Sequence, residues 1–184
     1  MPSNIAGQGH IIEAELLGTV KKEKYERSDH PNVEAYLDFG QSIDLVKRTQ
    51  PSENPTLPEA PFAADLRRAV SKKLASLPNN FAYDPKNLEY YTAVKSHLDQ
   101  WHSIDAFLEY LDRQTGKKTR ALIDLTIDPT KSIDPAFAGQ IVLILAPGDG
   151  LDKQIEGDRI IWNKLIEEAS DEIVQQLLQG QEIK

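Results

Sequence analysis

The sequence predicts an α+β domain: a central mixed sheet of three to four strands, built on a β-hairpin and flanked by helices. Three observations predict it. Residues 104–111 and 120–127 alternate polar and apolar side chains around a turn at 114–117, the pattern of a hairpin. Residues 140–146 are nearly continuous in apolar side chains, as in a strand buried on both faces. Residues 157–179 carry a wide apolar stripe opposite Glu167, Glu168, Asp171 and Glu172, as in a helix lying on a core.

The chain has 184 residues, enough for one domain with a proper core. The expected layout is a single domain over 1–184, with a helical N-terminal extension over 1–60 and the core over 61–180. The longest apolar run, 141–147, is far too short to span a bilayer, so no membrane association is expected. The first residues lack a basic region followed by an apolar stretch, so a cytoplasmic protein is expected. Cysteine is absent, which excludes disulfides and thiolate metal sites.

The formal net charge is −8. A module that holds nucleic acid by broad phosphate neutralisation is usually basic, so the balance argues against general DNA binding. It does not exclude a nuclease, whose metal ligands are themselves acidic. The local clusters Lys21–Lys22–Lys24–Arg27, Arg67–Arg68–Lys72–Lys73 and Arg113–Lys117–Lys118–Arg120 read as solvated surface.

Taken in order, a first helix is expected over about 10–24, with Ile11, Ile12, Leu16 and Leu17 on one stripe and Gly18 weakening its middle. A second spans 32–48, with Asn32 as N-cap and Gly40 as an interruption. Residues 51–62 hold four prolines and read as an exposed connection. A third helix covers 61–77, with Pro61 in its first turn. Residues 90–101 read as a short helix or an irregular approach to the sheet. Pro129 stops the second hairpin strand, and Gly180 caps the last helix. The edge of the last helix's stripe is a candidate homodimer contact.

The hairpin carries carboxylates where core residues are expected. By strand parity Asp105, Phe107 and Glu109 share a face, and Asp124, Thr126 and Asp128 share one on the partner strand. A two-residue loop at 115–116 sets Phe107 opposite Asp124 and Asp105 opposite Thr126. Asp105 and Asp124 are then diagonal neighbours, roughly 7–8 Å apart at Cα. Two such carboxylates resist joint ionisation unless a cation or proton intervenes, and Mg²⁺ or Mn²⁺ suits oxygen ligands. The competing reading is a half-exposed sheet with its acids in solvent. Glu109 reads as an exposed strand residue and His102 as structural. Tyr90, Tyr91 and Trp101 could stack on bases, but packing in the interior is the expected use. Neither a phosphate-binding Gly-rich loop nor a Gly-x-Ser-x-Gly elbow is present.

The strand I-D-A-F at 104–107, the hairpin, and a second strand ending I-D-L-T at 123–126 lie between the helix at 61–77 and the strand and helix that follow. This order resembles the core of the PD-(D/E)XK nucleases, the restriction-endonuclease-like superfamily, over about 120 residues. The resemblance implies that Asp105 is the first acid and Asp124 the second, together holding Mg²⁺ or Mn²⁺. The family's lysine slot holds Thr126 instead. Lys131, just past the strand, is the first choice for a relocated lysine, and Lys95 the second. Glu59 and Asp65 are candidates for an additional acid near the preceding helix. The implied activity is that of a metal-dependent endonuclease acting on nucleic acid, DNA in preference to RNA. The alternatives are a nuclease-fold module that no longer cleaves and serves binding or assembly, or a plain α+β domain with an acidic surface.

Overall fold

A computed structural model describes residues 5–21, 36–78, 83–113, 115–128, 140–145, 152 and 155–179. Helix α1 (Ile5–Leu17) ends at Gly18, whose φ of +80° is the left-handed conformation that terminates helices. The Gly18 N–H donates to the Ala14 carbonyl at 3.1 Å. The glycine expected to weaken the middle of a longer helix is its stop.

Helix α2 (Phe39–Arg48) begins at a capping box: the Asp38 carboxylate accepts from the Gln41 N–H, and the Gln41 side chain accepts from the Asp38 N–H. Gly40 therefore sits in the first turn and interrupts nothing. The expected cap Asn32 lies outside the described residues. Helix α3 (Pro61–Ala75) starts on Pro61, as its sequence suggests.

A single 3₁₀ turn at Pro85–Asn87 leads into β1 (Leu88–Thr92), and a short helix α4 (His97–His102) follows. The helix or irregular segment expected over 90–101 is thus a strand at its start and helical only after Ser96, whose hydroxyl caps it. Strands β2 (Ala106–Leu111) and β3 (Lys118–Thr126) form the hairpin. Strand β4 (Gln140–Ile144) and the long helix α5 (Glu156–Gln179) complete the described elements.

The four strands lie in the order β1-β2-β3-β4. The first three form an antiparallel meander, and β4 runs parallel to β3. One sheet face (Tyr90, Leu108, Ile123, Leu125, Ile141) packs on Leu17 of α1, Phe62 and Leu66 of α3, and Trp162 and Ile173 of α5. The other (Tyr91, Phe107, Leu122) packs on Ile43 and Val46 of α2 and Leu98 of α4. The molecule is α+β, with a mixed four-stranded sheet between helical layers, as the pattern predicts. Each fully buried Phe or Leu in these layers adds about 1.5–3 kcal/mol of transfer free energy.

Strand β4 departs from the expected full burial. It has one neighbour among the described strands, and Ile144 is 41% exposed. The stripe of α5 is also narrower than its sequence suggests, since Ile160 and Leu178 are exposed. No helix among the described residues is long and apolar enough to cross a membrane.

Candidate functional site

The hairpin turn fixes which residues of β2 and β3 meet. The Asp112 N–H donates to the Lys117 carbonyl at 2.9 Å, and the Gly116 N–H donates back to Asp112. The Asp112 carboxylate takes the Thr115 hydroxyl at 2.8 Å, and Gly116 adopts φ +69°. The connection is therefore longer than two residues. Phe107 pairs with Leu122, not Asp124. The register differs from the expected one by two positions, an even number, so the paired side chains of β2 and β3 keep their faces.

The ladder ends at Ala106↔Ile123, and Asp105 is the next residue out. Its N–H donates to the Ile123 carbonyl at 2.9 Å, and its carboxylate accepts from the Leu125 N–H at 2.7 Å. These two bonds place Asp105 beside the stretch of β3 that contains Asp124. The Asp105 carbonyl accepts from Ala93 N–H at 2.7 Å, which ties the residue to the end of β1 as well. Asp105 and Asp124 are each 3% exposed.

Burial pushes the Asp105 carboxyl up to about 9. The Leu125 N–H opposes this, while the charges of Asp99, Glu13 and Asp124 add to it. Asp99 belongs to α4 and Glu13 to α1, so acids approach from both helical layers. Burial and the neighbouring acids thus both favour the protonated form of Asp105.

Folding of the metal-free protein should therefore weaken as pH rises. The unfolded carboxyl ionises near 3.8, whereas the folded one holds its proton far longer. Stability is full below that lower value and falls as pH climbs towards the higher. Asp105→Asn keeps an acceptor for the Leu125 N–H and carries no charge. Melts in chelator at pH 8 should show the variant about 5 °C more stable, with the difference vanishing near pH 4. A difference independent of pH would show that Asp105 is ionised in the fold without penalty.

The donor set fits a hard divalent ion in kind, since both side chains offer carboxylate oxygens. Among the described residues no group of three or more His, Asp or Glu could hold a metal ion. The protein would contribute Asp105 and Asp124, with water or a phosphate oxygen completing the shell.

The other candidates are distributed as follows. Thr126 is uncharged, and its hydroxyl accepts from the Asp128 N–H at 3.1 Å. Lys131 lies outside the described residues. Lys95 is exposed, with φ +67° and its N–H on the Asp99 carboxylate. Glu59 lines a cleft of about 330 Å³ between the end of α1, the proline-rich connection and β1; neither acid of the pair lines it. Asp65 accepts from Arg68 and from the Trp162 indole N–H, which joins α3 to α5. His102 is buried against Phe39, with Nε2 3.1 Å from the Leu37 carbonyl, a structural role as its sequence suggests.

Glu109 overturns its expected exposure. It is 1% exposed and meets three cations: Lys47 at 2.7 Å, Arg120 at 2.7 Å and Lys118 at 3.1 Å. Burial alone would raise its pKa, but Lys47, Arg120 and Lys118 outweigh it and hold the carboxyl at about 2. The hairpin contained a signal for two of these partners, because Arg120 lies directly across from Glu109 and Lys118 shares that face. Nothing in the local pattern announces Lys47, which α2 delivers from 62 residues away.

The fold thus defines an α+β protein in which an antiparallel β2–β3 hairpin, with Asp105 just before it and Asp124 within it both buried, lies beside the parallel strand β4. No protein-family model matches the chain, and comparisons with curated proteins and with solved structures return no match.

Proposed function

We propose that this chain is a divalent-cation-dependent phosphodiesterase acting on nucleic acid, with Asp105 and Asp124 as the acids that seat the ion. The observation that carries the reading is the bracketing of Asp124 by the two β3 bonds of Asp105. It supports the reading by setting Asp105 beside the stretch of β3 that carries Asp124, at one end of the hairpin. The resemblance to the PD-(D/E)XK core adds the strand order, the acid positions and the expectation of DNA as substrate. A bound Mg²⁺ or Mn²⁺ would activate water and offset charge on the phosphate. The role of the chain is to position the ligands: Leu125 N–H orients the Asp105 carboxylate, and the ladder to Ala93 keeps its backbone from moving.

A second reading rests on Thr126, which places a neutral hydroxyl in the slot where the resemblance asks for a lysine. On that reading the fold binds or assembles without cleaving, and Asp105 serves as a neutral cap on the Leu125 N–H. Cleavage of labelled DNA in Mg²⁺ or Mn²⁺, by wild type against Asp124→Asn, decides between them. Activity confined to wild type supports the first, and no activity in either protein supports the second. Equal cleavage by both discards the acid pair.

A further inference from the structure

Of the aromatic residues singled out for stacking, the structure buries Tyr90 and Tyr91 and leaves Trp101 44% exposed. Trp101 is not alone. The Tyr36 ring, 64% exposed, stands edge-on to it with centroids 6.0 Å apart. The pair is held from below. Tyr36 also leans on His102 at 5.9 Å, and His102 is fixed by the Leu37 carbonyl and by the edge of Phe39. Helix α4 is then locked to the sheet, because Ser103 turns the chain with φ +52° and its carbonyl accepts from the Gln140 side chain of β4.

That lock sets the position of the rings relative to the acids. Trp101 precedes Asp105 by four residues, so their Cα atoms are at most about 14 Å apart. An extended single strand covers that span in a few nucleotides. Charge points the same way. With a net charge of −8 the chain cannot rely on neutralising many phosphates of a duplex. Stacking on an aromatic face needs an unpaired base and no protein charge.

We propose that Tyr36 and Trp101 form a stacking platform for an unpaired base, so that the acid pair acts on single-stranded nucleic acid. This rests on the phosphodiesterase reading of Asp105 and Asp124. The chain carries its own probe, since of its two tryptophans Trp162 is 5% exposed and Trp101 faces solvent.

The experiment titrates oligothymidylate of about fifteen nucleotides, and a duplex of equal length, into the full chain in EDTA, reading tryptophan emission and anisotropy of the labelled DNA. The single strand should quench emission and bind more tightly than the duplex. Trp101→Ala or Tyr36→Ala should weaken single-strand binding about tenfold, and Trp101→Phe should retain most of it. Both rings are exposed, so these variants should melt like wild type. Equal affinity for duplex and single strand, or unchanged binding by both alanine variants, overturns the platform. Because EDTA removes cleavage from the readout, the two ideas fail separately. Quenching without nuclease activity in Mg²⁺ keeps the platform and rejects the phosphodiesterase, whereas cleavage indifferent to Trp101 and Tyr36 does the reverse.

Discussion

Glu109→Ala should cost the protein about 3–5 kcal/mol, the usual penalty for opening a buried ion pair from one side. The substitution removes the one carboxylate shared by Lys47, Lys118 and Arg120 and leaves their positive charges facing each other. The three do not contribute equally. The Lys118 side chain is 50% exposed and screened by water, while Lys47 and Arg120 are 22% and 29% exposed and account for most of the effect. Lys47 also lies 5.1 Å from the Tyr91 ring centroid, so it keeps a partner when Glu109 is lost.

The same residue gives an acid-sensitive step. Its folded pKa of about 2 lies below the unfolded value of 4.5, so its contribution is complete above 4.5 and disappears as pH falls towards 2. The amount lost is about 3 kcal/mol. Urea unfolding followed by circular dichroism from pH 2 to 7 should show that loss in wild type and a flatter profile in Glu109→Gln. A change below about 1 kcal/mol for Glu109→Ala would mean that solvent already screens the cluster.

The second large effect follows from the proposed phosphodiesterase reading, on which Asp124→Asn should lower metal-dependent cleavage at least about a hundredfold. The amide is nearly isosteric and leaves β3 paired as before, but it removes one of the two carboxylates proposed to seat the ion. It also relieves Asp105 of one of the charges that raise its pKa. Activity and stability should therefore move in opposite directions, with the variant melting no lower than wild type in chelator. That combination separates a functional acid from a structural one. Lost activity together with lost stability would indicate that Asp124 supports the fold.

The parts of this molecule legible in its sequence are those where local pattern and tertiary environment agree. Helix α3 announced itself through Pro61 and its apolar spacing, and α5 through its stripe. The two faces of the paired hairpin strands were legible because parity survives a register shift of two. The shift itself was hidden, since it depends on the Asp112 carboxylate choosing Thr115 and on Gly116 taking a positive φ. Strand β1 was missed because all but one of its five residues are buried, so Leu88 to Thr92 shows no alternation. Glu109 was misread because a lone acid in an alternating strand looks like a solvent face until a helix from elsewhere covers it.

That long-range cover has a bearing on how the chain reaches its native state. Strands β1, β2 and β3 are consecutive and pair with their sequence neighbours, so the meander closes with short loops and little entropic loss. Docking of α2 through Lys47 must close 62 residues and belongs to a later step. Lys47→Met should accordingly speed unfolding while leaving the refolding limb of a chevron nearly unchanged.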